Sequence, residues 1–143
     1  MEVSDLKEKW TGWAFDEISF DIAADELKEF ALTCGEILPR FTDPTDTDFQ
    51  AAPSYVTCLH GGKQLPDGFP MQQEASFDSG KTVEWNFPIR AGDTILARSR
   101  IHDIFEKAER SGGMMFVVHR IEFTNQDDVL VAIVDSKLIQ QVG

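Results

Sequence analysis

Hydrophobic and polar positions change period along this chain, and each change predicts an element. Residues 1–14 are polar around Trp10 and Trp13, and predict an N-terminal arm that must pack its indoles elsewhere. In Glu17-Ile18-Ser19-Phe20-Asp21-Ile22 apolar and polar residues alternate with period two, which predicts a half-buried strand. The period then lengthens. Leu27, Phe30, Ala31 and Cys34 fall at i, i+3, i+4 and i+7, one face of an amphipathic helix near 24–34. Asp25 and Glu26 sit in its first turn, where the helix dipole favours negative charge. Gly35 stands where a left-handed residue would end it.

Residues 36–53 hold Pro39, Pro44 and Pro53 and read as loop. The apolar run Tyr55–His60, closed by Gly61-Gly62, is too short for its period to decide between helix and strand. Residues 63–73, with Pro66, Gly68 and Pro70, are loop again. From Ala75 onward the chain reads as strand. Lys81–Ile89 places Val83, Trp85 and Phe87 on one face. Thr94–Lys107 places Ile95, Ala97, Ser99 and Ile101 on one face. Met114–Thr124 and Val129–Gln140 follow. Turns at 90–93, 109–113 and 125–128 separate them, so the second half predicts an antiparallel meander. One amphipathic helix with a large antiparallel sheet predicts an α+β fold, and 143 residues predict a single domain over 1–143, with 1–14 its arm.

Composition narrows the function. Lys+Arg is 13 against Asp+Glu 25, a formal net charge of -12. A chain this acidic is poorly suited to phosphate backbones or anionic lipid surfaces, so neither nucleic acid nor a membrane is expected as partner. No apolar run approaches the ~20 residues of a spanning helix, and the acidic start carries no apolar targeting segment. Cys34 and Cys58 do not make a disulfide framework. The expected compartment is the reducing cytoplasm.

Cys34, Cys58, His60, His102 and His119 show no metal-ligand spacing, and no phosphate-binding glycine loop or nucleophile elbow is present. Neither a metal nor a cofactor is expected. His102 and His119 read as surface or cross-strand polar residues. Trp85, Phe77, Phe87, Phe105, Phe116 and Phe123 sit at strand spacing and read as core.

The stretch Phe30-Ala31-Leu32-Thr33-Cys34-Gly35-Glu36-Ile37-Leu38-Pro39-Arg40-Phe41-Thr42-Asp43 carries more information. It resembles the MaoC-like dehydratases, (R)-specific enoyl-thioester hydratases. Their motif runs Gly-Asp-x-Asn-Pro-x-His-x-Asp after an aromatic and small residues. Gly35, Pro39 and Asp43 match it. Further matches follow in order: Ala52-Pro53 before a short apolar run, Trp85-Asn86-Phe87-Pro88-Ile89-Arg90-Ala91-Gly92-Asp93, and Ile101-His102-Asp103-Ile104-Phe105-Glu106-Lys107. Phe116-Val117-Val118 and then Thr124-Asn125-Gln126 with Leu130-Val131-Ala132 complete the series. Together they span roughly residues 12–140.

The resemblance implies a hot-dog fold, a long amphipathic helix wrapped by a curved antiparallel sheet. It implies a CoA or acyl-carrier-protein thioester as substrate, in fatty-acid or steroid side-chain metabolism. In the family an Asp and a His activate water for addition to the enoyl double bond, which needs both within reach of one water. Here Glu36 stands at the Asp position, Leu38 at the Asn position and Phe41 at the His position. Phe41 cannot transfer a proton. Glu36 displaces its carboxylate by about 1 Å, a shift worth on the order of a hundredfold in rate. The resemblance therefore implies the half of a two-hot-dog unit that has lost the dyad. Its partner would be a second MaoC-like chain, as homodimer or heterodimer, the heterodimer favoured. Two alternatives stay open: a self-sufficient hydratase or thioesterase using Glu36, and an acyl-CoA-binding or scaffold module for a thiolase or aldolase. Pro53, Tyr55 and His60 lie where relatives bind the thioester, although His60 also reads as a helix-end residue beside Gly61. An anionic carrier needs a basic patch, for which Arg90, Arg98 and Arg100, with Lys107 and Arg110, are the candidates. Their plainer reading is solvated strand-face charge.

Overall fold

The computed structural model describes residues 2–71, 76–110 and 112–142. Ala75, the expected start of the strand region, and Ser111 of the second expected turn lie outside them. The elements are α1 (Val3–Trp10), β1 (Ala14–Asp21), α2 (Ala24–Thr33), α3 (Pro39–Thr42), a 3₁₀ turn (Tyr55–Cys58), β2 (Ser76–Trp85), β3 (Thr94–Glu109), β4 (Gly112–Thr124) and β5 (Leu130–Val142). The α+β reading holds. All strand pairs are antiparallel in one sheet of order β1-β3-β4-β5-β2.

β3, β4 and β5 form the expected meander, but β2 does not pair with β3. The turn after it is present, closed by Asp93 N–H donating to Arg90 O at 3.1 Å. It joins strands on opposite halves of the sheet: β2 crosses over to pair with β5, with Val83 opposite Val134 and Trp85 opposite Ala132.

Residues 1–14 pack one of their two indoles on the sheet. They contain α1, whose Leu6 and Trp10 are buried against Ile101, Ile104, Met115 and Val117 of the sheet. Trp10 meets Phe69 edge-on at 5.3 Å, while Trp13 stays 48% exposed. The loop expected at 36–53 also contains the short helix α3. Four-residue helices are too short to show a period.

α2 keeps the predicted register. Leu27 and Ala31 are fully buried, Phe30 is half-buried and Cys34, at the C-cap, is exposed. Gly35 has φ +80, Gly35 N–H donates to Leu32 O, and Glu36 N–H donates to Ala31 O. This is the paired carbonyl capping of a Schellman motif.

The inward face of β3 reads as expected: Ile95, Ala97, Ser99 and Ile101 are all buried. An irregularity between Ile101 and Asp103 shifts parity by one, so Ile104 also points inward, opposite Val117. Two apolar clusters share this face. One gathers Leu27, the 3₁₀ turn, Ile95, Ile121, Phe123 and Val134; the other gathers α1, Leu65, Phe69, Val117 and Leu138. Of the expected core aromatics only Phe123 is fully buried. Phe77 and Phe87 are 56% and 49% exposed, and Phe105 stacks on Phe116 at 4.9 Å on the opposite face. No helix among the described residues is long and apolar enough to cross a membrane.

Candidate functional site

The segment after α2 is held by its own backbone. Phe41 is buried against Ala31 and Ala52 with Phe30 beside it, so the aromatic at the family's His position ties α2 to the loop before the 3₁₀ turn. Asp43 turns the chain, its Oδ1 accepting from Thr45 N–H at 2.9 Å and Thr45 Oγ1 at 2.7 Å. Those hydrogen bonds hold its carboxyl below the usual range. Glu36 is half-buried and lines none of the cavities described below, whereas Ile37 and Leu38 are 87% and 43% exposed.

Phe41 forms the floor of an open groove of about 400 Å³, with Pro53, Trp85 and Phe87 as apolar walls and Gln50 and Asn86 as polar ones. The Trp85 indole N–H donates to the Pro53 carbonyl, which closes one side. Arg40 stands at the rim, its guanidinium 5.0 Å from the Phe41 ring centroid. Among the described residues it makes no ion pair.

Tyr55 is buried in the 3₁₀ turn, edge-on to Phe30 at 5.2 Å, and does not line this groove. Burial raises its phenol pKa, with Glu26 adding to the effect. His60 is exposed, its Nδ1 3.0 Å from the Gly61 carbonyl, at the edge of a different cavity. Pro53 is thus the only one of the three thioester candidates at the groove.

The arginines do not converge. Arg90 donates to Asp48 Oδ1 and the Phe49 carbonyl, both at 3.0 Å. Arg98 pairs with Glu17 at 3.5 Å, and Arg100 pairs with Glu122. Arg98 and Arg100 share a crevice beside β1 that neither Arg90 nor Phe41 lines. Each already faces a carboxylate, as solvated strand-face charges do.

The second cavity brings His60 together with residues that were not candidates. It has a volume of about 80 Å³, lies under the segment Val56–Gln64, and is lined on the sheet by His119, Ser136 and Lys81. His119 is not a surface residue: it is 5% exposed, and its Nε2 has no hydrogen-bond partner. Burial, with the Lys81 charge, lowers its pKa to about 4, so the ring is neutral near pH 7. The only signal in the sequence is a polar residue at an inward position of an otherwise apolar alternation, Met115, Val117, His119, Ile121 and Phe123. Among the described residues, no group of three or more His, Cys, Asp or Glu could hold a metal ion. Cys34 and Cys58 are free and exposed.

A family model described as "FAS1-like, dehydratase domain region" matches residues 9–134. Among solved structures, the chain is similar to the HadBC (3R-hydroxyacyl-ACP dehydratase) complex of Mycobacterium tuberculosis, at 27% identity and TM-score 0.67, covering 89% of this chain and 93% of that one. It is also similar to a MaoC-like dehydratase from Rhodospirillum rubrum, at 19% identity and TM-score 0.67, covering 96% and 97%. The R-hydratase PhaJ1 of Pseudomonas aeruginosa aligns at 18% identity and TM-score 0.65, covering 96% and 86%. The last two likenesses are of fold. No curated protein matches the sequence. With the family model covering most of the chain and the hot-dog architecture in place, the chain belongs to the FAS1-like dehydratase domain region family and has the hot-dog fold of the MaoC-like dehydratases.

Proposed function

We propose that this chain is the non-catalytic half of an (R)-specific enoyl-thioester hydratase or 3-hydroxyacyl-thioester dehydratase, paired with a second, catalytic hot-dog chain. One observation carries the reading. The position where resembling proteins hold an acid/base histidine is a phenylalanine, packed against Ala31 and Ala52, whose ring cannot transfer a proton. The groove above it is mostly apolar, and among the described residues its lining has no carboxylate or imidazole and only Arg40, which keeps its proton, so it can position a chain but not move a proton. The similarity at 27% identity is to part of a 3R-hydroxyacyl-ACP dehydratase complex, which favours a thioester substrate, on CoA or a carrier protein, and a heteromeric unit.

Two surfaces support a partner. β2 is an outer strand whose exposed side chains include Phe77 and Val83, and an exposed apolar edge favours strand addition. Leu32, Ile37 and Leu38 form a second exposed apolar stretch beside the motif loop. Arg40 takes over the role for which Arg90, Arg98 and Arg100 were candidates, as the cation at the groove that meets the anionic carrier. The free thiols suit a reducing compartment, and we place the pair in the cytoplasm.

The test is crotonyl-CoA hydration by the purified chain, alone and with a catalytic hot-dog partner. The reading expects no hydration by the lone chain and turnover with the partner. Hydration by the lone chain, abolished by Glu36→Ala, would overturn it in favour of a self-sufficient enzyme. Tight acyl-CoA binding with no turnover in either assay would favour the binding module.

A further inference from the structure

The inner face of the sheet carries a polar row that crosses three strands. Lys81 on β2 lies opposite Ser136 on β5, Ser136 opposite His119 on β4, and His119 opposite Ile101 on β3. On β4 and β5 the pairs on either side are apolar: Ile121 with Val134, and Val117 with Leu138. The polar row therefore runs along the seam between the two apolar clusters.

Its hydrogen bonds are incomplete in a directed way. Lys81 Nζ donates to Ser136 Oγ at 3.1 Å and to Asp78 Oδ2 at 2.9 Å. The Ser136 oxygen is thus an acceptor, and its own hydroxyl proton remains to be donated. Next to it, the buried His119 Nε2 has no partner. Such an atom calls for an explanation, because burying an unpaired polar group lowers stability. Val56, Leu59, Ile121, Phe123, Val134 and Leu138 supply the apolar walls of the 80 Å³ cavity at this row. No residue of it is shared with the Phe41 groove. A largely apolar cavity with a few convergent polar groups is the usual form of a small-ligand site. One water needs only about 10–15 Å³ of such volume, and it needs polar partners on several sides.

We propose that this cavity is a second binding site, for a short apolar chain bearing one neutral oxygen function, a hydroxyl or a carbonyl. The chain lies among the aliphatic walls. The oxygen accepts from the Ser136 hydroxyl or from the His119 N–H, and a hydroxyl can instead donate to Nε2 in the other tautomer. A charged group fits worse. The two cations in the cavity lining, Lys63 and Lys81, are already matched by Asp67 and Asp78, so a carboxylate would lose its hydration for shared cations, and an ammonium would meet both lysines. The oxygenated chain can be a free small molecule or part of an acyl thioester. The second source rests on the thioester reading proposed above; the first does not.

The full-length protein, with its histidines labelled, is titrated at pH 7 and the His119 imidazole followed by ¹⁵N NMR. The probes are pentan-1-ol, valeryl-CoA and 5-hydroxyvaleryl-CoA. Calorimetry gives their affinities for the wild type and for Ser136→Ala and His119→Leu. The expected result is a saturable shift of His119 Nε2 with both hydroxylated probes. 5-Hydroxyvaleryl-CoA should bind about tenfold tighter than valeryl-CoA, roughly what one net hydrogen bond supplies. Most of that preference should disappear in Ser136→Ala, the milder of the two variants should His119→Leu fail to fold. A shift with pentan-1-ol while neither thioester binds supports the site with a free ligand and defeats the thioester reading. Thioester binding with no His119 shift and no hydroxyl preference overturns this inference and leaves the thioester reading intact. A His119 signal unmoved by every probe also overturns it and leaves trapped water as the partner of Nε2.

Discussion

Phe41 and His119 occupy opposite kinds of position, and each has a measurable consequence. Phe41 is 7% exposed and joins α2 to the loop at Ala52, so its loss removes that packing and deepens the groove it floors. Phe41→Ala should lower unfolding free energy by about 3–5 kcal/mol, read by urea denaturation. A change under about 1 kcal/mol would mean that the ring is not structural. His119 acts through protons. Its folded pKa of about 4 lies below the ordinary 6.5, with Lys81 and His60 opposing its charge and Asp16 and Asp135 favouring it. Above pH 6.5 both folded and unfolded states are neutral at this site. As pH falls the unfolded state takes up the proton first, so stability declines from pH 6.5 to 4 and levels off below. The full effect is about 3 kcal/mol. The difference in unfolding free energy between wild type and His119→Gln, measured from pH 7 to 4, should follow that course; a flat difference contradicts it. Neither role was legible from the sequence in full. The phenylalanine at the motif's His position was, because it needs only motif positions. The importance of His119 was not, because its neighbours Ser136 and Lys81 come from strands brought together by register.

Among the elements, α2 was the most legible, because its period, its acidic first turn and Gly35 agree with one another. Gly35 has φ +80, and a Cβ there would meet nothing within 4 Å. Gly35→Ala should therefore cost about 1–2 kcal/mol from backbone conformation alone, with Gly35→Asn costing less, as thermal or urea unfolding will show. An Ala variant as stable as wild type would place the helix end elsewhere. The faces of β3 were equally clear. The partner of β2 was not: the turn at Arg90–Asp93 looks like a hairpin, and only the fold reveals that it carries the chain across the sheet. The same limit applies to Arg120. It stands opposite Asp135 and donates to both its carboxylate oxygens, at 2.8 and 2.9 Å, with side chains 22% and 19% exposed. That bidentate pair holds β4 to β5, and Asp135→Ala should cost about 1–3 kcal/mol in denaturant. The sequence spacing of the two residues gives no hint of it.

At the scale of the molecule, the family was readable because several short motifs recur in order, and the structure shows what some of them do. Asn125 is a turn-builder: its Oδ1 accepts from Asp127 N–H at 2.9 Å and Val129 N–H at 3.1 Å. Gln126 ties that turn to Thr94 and Asp93. Gly92 and Asp93 link to Ile22 through backbone hydrogen bonds. These residues serve the fold, whatever stands at the motif's acid/base positions. Arg90, Arg98 and Arg100 do not converge, and each pairs with a carboxylate on a neighbouring segment. If Arg40 is instead the cation that meets the carrier, Arg40→Ala in the assembled pair should raise KM for a CoA thioester several-fold with little change in kcat. Unchanged KM would remove it from the site.

The central claim is that catalysis belongs to the partner. The most direct measurement is crotonyl-CoA hydration by the reconstituted pair, with acid/base residues removed from one chain at a time. Glu36→Ala in this chain should leave kcat within about twofold of the intact pair. Removing the catalytic His of the partner should lower it by about 10²-fold or more. A pair that loses its activity with Glu36→Ala and keeps it without the partner's His would contradict the account.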